Sequence, residues 1–108
     1  MRIFVEGRCV ADNVVIADTF WRRFIGLMGK RALPPTDGLL LMRCGSIHTC
    51  FMRFPIDVIY LSKEMTVLDT ETVRPWRTGK RVRHAGHTLE LCSGNKEHFK
   101  IGSIVEIR

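Results

Sequence analysis

A proline within the most apolar part of the chain sets the strongest limit on its fold. Pro55 divides residues 44–62, which read CGSIHTCFMRFPIDVIYLS, into two runs with the composition of β-strands. Because proline has no N–H to donate to a sheet, it belongs at the start of a strand or at a bend. The stretch therefore predicts two short strands, residues 46–54 and residues 56–61.

The alternation of side chains along a strand predicts what each of these strands presents. His48, Cys50 and Met52 would share one face of the first strand, and Asp57 would share a face of the second with Ile59 and Leu61. Asp57 then lies in apolar surroundings, where an unpaired charge is costly to bury. We expect its carboxylate to accept at least one hydrogen bond, from a backbone N–H, from His48 or from an arginine.

Length and composition indicate one globular domain, residues 1–108. The chain has 108 residues, 45% of them hydrophobic, which is enough for one core without disulfides. The net charge of +6 favours anionic partners but does not specify a fold. The first residues, MRIFVEGRCV, contain no signal-peptide core, and no run has the length of a membrane span, so we expect a cytoplasmic protein. Its four cysteines are then expected to be reduced and unbridged.

One segment has the periodicity of an α-helix. Asp18 or Thr19 can cap its start, and the helix is predicted to reach about Leu27. Gly29 follows in the position of a left-handed C-terminal cap. Apolar side chains at i, i+4, i+7 and i+8 form a stripe that would pack on the core, and these are Phe20, Phe24, Leu27 and Met28.

Short apolar runs between turn residues predict the other strands. They cover residues 1–6, 8–11, 14–17, 39–42, 65–74, 87–92 and 103–107. Residues 96–100 read as a turn or a short helical fragment. The predicted class is therefore α+β, mainly β: a small antiparallel, partly closed, barrel-like sheet of short strands with one α-helix packed on it.

Several ordered motifs resemble those of the DUF192 family, also called UPF0127. The resemblance covers nearly the whole chain from Thr19 onward. Its blocks are Gly26-Leu27-Met28-Gly29 with Leu33-Pro34 and Gly38-Leu39-Leu40; His48-Thr49 with residues 51–58 (FMRFPIDV); Pro75-Trp76-Arg77; and Leu89-Glu90-Leu91 with Gly94 and then Gly102.

The resemblance implies a compact, β-rich single domain with one helix, and no established activity, because the family is a domain of unknown function. It transfers no catalytic residue. The chain departs from the family pattern at Cys50, where an aromatic or large apolar residue is expected, and at Cys92, where proline is common. Many members of the family carry an export signal, which we do not expect for this chain from its first residues.

We interpret the chain as a non-catalytic binding or accessory domain for a small ligand, anionic in keeping with the net charge, or for a protein partner. Tryptophan and arginine are enriched as anchors of binding surfaces, and both occur just after the predicted strand of residues 65–74. The predicted binding face combines His48, Arg53, Asp57, Trp76 and Arg77.

Two other classes of function use the same part of the chain. An enzyme of unknown class would place a deep pocket on that face, with a base within hydrogen-bond reach of a second polar group. A single-stranded nucleic-acid binder would use the basic loop of residues 74–83 (RPWRTGKRVR), in which Trp76 could stack on a base. That loop contains no second aromatic residue.

A soft-metal site is a further, less favoured interpretation of the central stretch. His48, Cys50 and Met52 supply the imidazole, thiolate and thioether that a metal such as Cu(I) prefers. Cysteine and methionine are more often core packing, so we predict no metal and no cofactor. Cys50 beside His48 could also be an activated nucleophile, but no neighbouring turn offers an oxyanion site.

Overall fold

Strands make up most of the regular structure in the computed structural model, which describes residues 1–19 and 27–108. The eight strands are β1 (Ile3–Val5), β2 (Arg8–Ala11), β3 (Asn13–Ala17), β4 (Asp37–Leu41), β5 (Ile56–Leu61), β6 (Val67–Val73), β7 (His87–Cys92) and β8 (Val105–Ile107). One turn of 3₁₀ helix, Lys96–His98, follows β7. The described residues contain no α-helix.

The strands form two separate sheets. A three-stranded sheet has the order β2-β1-β8 and is antiparallel throughout. A five-stranded sheet has the order β3-β4-β7-β5-β6, in which β3 and β4 run parallel while the other neighbours are antiparallel. A parallel pair needs a long connection, and residues 18–36 separate its two strands.

Strand β5 is buried on both faces and separates two cores. On one face Ile59 and Leu61 join a core that is shared with the three-stranded sheet. On the other face Val58 and Tyr60 lie under parts of the chain that belong to neither sheet. We call residues 43–54 and 74–86 the covering segments, because their apolar side chains pack on this face; those side chains are Cys44, Ile47, Met52, Phe54, Val82 and Ala85.

The predicted fold class is wrong in three respects. The described structure is nearly all β rather than α+β, it consists of two sheets that do not close, and its larger sheet is mixed rather than antiparallel. Short apolar runs predict where strands form, but the pairing of strands depends on contacts between segments far apart in sequence. Nothing in the local pattern distinguishes a parallel from an antiparallel partner for β3.

Most of the predicted helix lies outside the described residues, since it falls on residues 20–26. Its last residues are described. Leu27 is buried in the core under the covering segments, and Gly29 has φ of 77°, as expected for a left-handed cap. The backbone N–H of Gly29 donates to the carbonyl oxygen of Phe51 at 3.1 Å, so the end of this segment is attached to the first covering segment.

The predicted strand over residues 46–54 is also wrong. This segment makes one isolated bridge, between His48 and Thr78, and then turns, with the N–H of Met52 donating to the carbonyl of Thr49 at 3.1 Å. Phe51 has φ of 63°, which no strand residue adopts. Apolar side chains recur here because the segment covers a core, and not because it alternates between two faces.

Other strand predictions are confirmed. The bounds of β2, β5 and β7 agree with the sequence pattern, and the remaining strands differ by a few residues at their ends. As predicted, Asp57 shares the Ile59 face of β5. Its carboxylate accepts hydrogen bonds from Thr72, on the neighbouring strand β6, and from residues of the turn after β7.

Within the described ranges, no helix has the length and apolar character that crossing a membrane requires.

Candidate functional site

Thr49 joins the two covering segments. It is fully buried, and its backbone N–H donates to the carbonyl of Arg77 at 2.7 Å while its carbonyl accepts the N–H of Trp76 at 2.9 Å. Its hydroxyl lies 2.6 Å from the carbonyl oxygen of Arg74 and accepts the N–H of Arg77 at 2.8 Å. One threonine therefore satisfies polar backbone groups over a whole turn of the second segment.

This arrangement presents two aromatic rings to solvent. Phe51 and Trp76 are 59% and 56% exposed, and their ring centroids are 4.7 Å apart with the planes tilted by 58°. Such a tilted contact is a favourable aromatic geometry. Both residues have positive φ, 63° and 62°, which costs about 1 kcal/mol or more for a residue with a Cβ atom. The surrounding contacts thus hold two strained residues so that their rings meet at the surface.

Three arginines lie within two residues of Phe51 or Trp76 in the sequence. Arg77 is exposed, and its guanidinium donates to the carbonyl of Trp76 at 3.1 Å. Arg53 and Arg74 are exposed as well. Within residues 1–19 and 27–108, none of these three arginines has a carboxylate at ion-pair distance. We call Phe51, Trp76, Arg53, Arg74 and Arg77 the aromatic-arginine surface.

A second set of contacts attaches the covering segment to the sheet beyond Thr49. Glu71 accepts hydrogen bonds from the Tyr60 hydroxyl at 2.5 Å and from the backbone N–H of Lys80 at 2.7 Å. Burial, and then the bond to Glu71, raises the pKa of Tyr60 well above its ordinary value. Lys80 also pairs with Asp69 at 2.7 Å, and this hydrogen bond lowers the pKa of Asp69.

Gly79 allows the closest approach in this region. A Cβ atom at this position would meet the Tyr60 hydroxyl and would come within 2.8 Å of Ile47. The Gly79 N–H donates to the carbonyl of Ile47 at 2.9 Å. A glycine is therefore required where the second covering segment crosses the first.

The structure brings together four of the five predicted binding residues in the covering segments, and separates the fifth. His48 pairs with the segment that carries Trp76 and Arg77, and Arg53 lies one residue beyond Met52. Asp57 lies on the other face of β5, 0% exposed, and its partners are Thr72 and the turn after β7. Its assignment to a common binding face rested on its nearness in sequence.

The partners of Asp57 agree with the expectation of a hydrogen-bonded carboxylate. Its Oδ2 accepts three consecutive backbone N–H groups, from Gly94 at 2.9 Å and from Asn95 and Lys96 at 2.8 Å each. Its Oδ1 accepts the hydroxyl of Thr72 at 2.7 Å. The expected backbone donors are confirmed, and among the described residues no arginine or histidine bonds this carboxylate. This carboxylate orders the turn after β7.

The soft-metal candidates do not share a strand face, because the strand on which that idea rested is absent. Met52 is buried in the core, and His48 Nδ1 accepts the backbone N–H of Cys50 at 3.2 Å. That nitrogen is therefore not a base for the Cys50 thiol. In the described part of the chain, no three His, Cys, Asp or Glu side chains cluster as metal ligands would. All four cysteines are free.

Sequence reasoning missed two features. Phe51 belongs to the surface, and the signal for it was the motif in which it follows His48 and Thr49. Glu90 is only 3% exposed at the centre of β7, and its Oε2 has no hydrogen-bond partner among the described residues. Burial raises the pKa of the Glu90 carboxyl to about 8. A charged residue alternating with leucines in HTLELC was the available signal.

Comparisons with known proteins agree with this description. The sequence model of DUF192, described as an uncharacterized ACR, matches residues 1–107. The chain belongs to the DUF192 family. A UPF0127 protein of Pyrococcus horikoshii is 37% identical to it over 91 residues, covering 82% of this chain and 79% of the relative. A UPF0127 protein of Pyrococcus furiosus is 33% identical over 99 residues, covering 89% and 85%.

A solved structure shows the same fold as this DUF192 chain. A protein of unknown function from Novosphingobium aromaticivorans superposes with a TM-score of 0.85 at 19% identity, covering 98% of this chain and 84% of that one. At this identity the likeness concerns the fold alone. The family is described as uncharacterized and the solved structure as a protein of unknown function, so function must be argued from the site of this chain.

Proposed function

We propose that this DUF192 protein, acting as one domain over residues 1–108, is a non-catalytic binding module for an anionic partner. Its contact surface is the aromatic-arginine surface. The observation that carries the proposal is the exposed contact between Phe51 and Trp76, each held at positive φ. Strained residues persist where surrounding structure holds them, and they concentrate at functional sites.

The composition of the surface supports binding. Tryptophan and arginine are the residue types most often found as energetic anchors of interfaces. An exposed pair of large rings offers apolar area that a partner would remove from water. The guanidinium groups of Arg53, Arg74 and Arg77 can donate paired hydrogen bonds to a carboxylate or a phosphate.

The enzyme alternative has less support in the described residues. The titratable pair Tyr60 and Glu71 is engaged in holding Lys80. His48 is engaged through Nδ1 with the backbone. A surface of exposed rings also differs from the deep pocket in which acid–base catalysis is expected.

Single-stranded nucleic acid is a second candidate partner, and one observation favours it. The basic loop of residues 74–83 has a single aromatic residue in sequence, but Phe51 supplies a second ring beside Trp76. Two neighbouring rings among arginines can stack bases while the cations contact the backbone phosphates.

A reducing, cytoplasmic location is part of the proposal, and the four free thiols support it.

Fluorescence anisotropy with two labelled probes of equal length would test the proposal. The probes are a deca-glutamate peptide and a deca-thymidylate oligonucleotide, at low salt. We expect at least one to bind, and we expect Trp76→Ala and Phe51→Ala each to weaken that binding roughly tenfold, as for removal of a stacking or anchoring ring. Ile101→Ala is the matched control, because Ile101 is also exposed and apolar but lies outside the surface.

The charge of the surface is tested in the same way. Arg77→Ala should weaken binding more than Arg8→Ala, although both remove one exposed positive charge. Selective binding of the oligonucleotide would identify the partner as nucleic acid, and selective binding of the peptide would identify it as an acidic protein segment. If neither probe binds, or if Trp76→Ala binds as tightly as Ile101→Ala, the aromatic-arginine surface is not a binding site for anions.

A further inference from the structure

A cleft with cationic walls lies where the ends of both covering segments meet the turn after β5. Its volume is about 530 Å³, which is within the range of small-molecule sites. It is lined by Arg43, Gly45, Lys63, Ala85, Gly86 and His87. A second hollow of about 490 Å³ shares Lys63 and Ala85 with it and is also lined by Ser62, Glu64 and His84. None of these residues belongs to the aromatic-arginine surface.

The orientation of His87 leaves a donor at the cleft. Its Nδ1 accepts the backbone N–H of Arg43 at 2.9 Å, so in the neutral ring the proton is on Nε2. Nε2 makes no hydrogen bond within the described part of the chain. His87 is largely buried, so its ring is held in place rather than free to rotate in solvent. It offers a fixed N–H group to an acceptor in the cleft.

The walls of the cleft are positioned by close backbone contacts. A Cβ atom at Gly45 would come within 2.5 Å of the Ala85 carbonyl oxygen, and one at Gly86 would come within 2.9 Å of Lys63 Cγ. The N–H of Gly86 donates to the carbonyl of Leu61 at 2.7 Å. These contacts hold the Lys63 stem against the second covering segment.

Backbone strain occurs at the cleft as it does at the aromatic pair. Arg43 has φ of 55° and His84 has φ of 68°. Arg43 donates one guanidinium hydrogen bond, to the carbonyl of Asp18 at 3.0 Å, which leaves its other N–H groups for a ligand. Glu64 is the one carboxylate among the residues that line the two cavities, and it lines the second hollow rather than the cleft.

We propose that this cleft binds the phosphoryl group of a small molecule. Arg43 supplies a planar fork of donors, Lys63 supplies an ammonium group, and His87 supplies a fixed N–H. Together these donors suit a compact oxyanion with several acceptor oxygens. The cleft is larger than one phosphate, so the ligand extends beyond the phosphoryl group. The inference is independent of binding at the aromatic-arginine surface.

Titration of the ¹⁵N-labelled protein with inorganic pyrophosphate, at constant ionic strength, tests the site. We expect chemical-shift changes to concentrate at the backbone amides of Arg43, Gly45 and Gly86. Lys63→Ala should weaken binding roughly tenfold or more, since a hydrogen bond to a charged group is lost. Lys100→Ala is the matched control, because it removes an exposed lysine that lines neither hollow.

Two results would overturn the proposal: shifts that concentrate at residues 74–83 instead, or a Lys63→Ala variant that binds as tightly as Lys100→Ala. Trp76→Ala should leave pyrophosphate binding unchanged, so this site and the aromatic-arginine surface can fail separately.

Adenosine monophosphate and a 5′-phosphorylated deca-thymidylate distinguish the source of the phosphoryl group. Tighter binding of the nucleotide supports a free metabolite, whereas tighter binding of the oligonucleotide at these same amides contradicts the small-molecule assignment.

Discussion

The carboxylate of Asp57 stabilises the fold through its neutral donors. Three consecutive N–H groups, from Gly94 to Lys96, converge on one of its oxygens, and the Thr72 hydroxyl occupies the other. A turn whose amides point inward would otherwise leave three partly buried donors without acceptors. Asp57 therefore belongs to the core, although its charge suggested a binding face.

Substitutions at Asp57 should separate shape from charge. Asp57→Asn retains one oxygen for the three N–H groups, and we expect it to lower the free energy of unfolding by about 1–2 kcal/mol. Asp57→Ala leaves all three donors unsatisfied and should cost at least about 3 kcal/mol. Urea unfolding measures both. Equal losses for the two variants would show that the backbone donors do not depend on an acceptor at this position.

Glu90 makes stability depend on pH. Its ordinary pKa is near 4.5, and burial raises it to about 8 in the folded protein. Between these values the folded state holds a proton that the unfolded state has lost, so the free energy of unfolding falls as the pH rises toward 8. Glu90→Gln has no proton to lose. The variant should therefore gain stability relative to the native protein between pH 5.5 and pH 9, measured by urea unfolding.

The control for Glu90 is an exposed glutamate. Glu64→Gln removes the same charge at the surface and should leave the pH dependence of the native protein unchanged. If Glu90→Gln also follows the native pH dependence, then Glu90 is hydrated or paired in solution.

At the scale of elements, the covering segments hold the candidate surface in place. Neither is a strand, and each is attached to the other by backbone bonds that converge on Thr49. Gly79 allows the second segment to cross close to Ile47, and Glu71 holds Lys80 at its far side. The exposed rings are therefore presented by ordered segments, although these segments lie outside both sheets.

Thr49→Val tests this role because it keeps the shape of the side chain and removes the hydroxyl. It leaves the N–H of Arg77 and a carbonyl of the same turn without their partner, and should cost about 2 kcal/mol of unfolding free energy. Tryptophan fluorescence should also change, since Trp76 loses part of its support. Thr70→Val is the control, because the described hydrogen bond of Thr70 uses its backbone N–H. Equal effects of the two variants would contradict the anchoring role of Thr49.

At the scale of the molecule, one sheet separates two cores and should make them unfold together. Leu89 packs on the face toward the three-stranded sheet and Val58 on the face under the covering segments. Because both lie on neighbouring central strands, loss of either core disrupts the strands on which the other depends.

We therefore expect a single unfolding transition, with the same midpoint by tryptophan fluorescence and by far-ultraviolet circular dichroism. Leu89→Ala should lower the free energy of unfolding by about 2–5 kcal/mol, as for other buried leucines, and should shift both signals equally. A shift in one signal alone would show that the two cores unfold separately.

The sequence by itself determined the local elements and the family. Runs rich in apolar and β-branched residues, bounded by Pro55 and by turn residues, predicted β5 and β7 with their observed bounds. The need of Asp57 for hydrogen-bond donors also followed from chemistry alone. Ordered motifs were sufficient for the DUF192 assignment, because each records a residue type at a fixed spacing.

The tertiary structure alone decided which elements are neighbours and which residues meet. The parallel pairing of β3 with β4, the division into two sheets and the contact between Phe51 and Trp76 all join residues distant in sequence. A local pattern records whether a side chain prefers to be buried, but not what buries it. For that reason residues 46–54 resembled a strand, whereas in the folded protein they cover a core and carry part of the candidate surface.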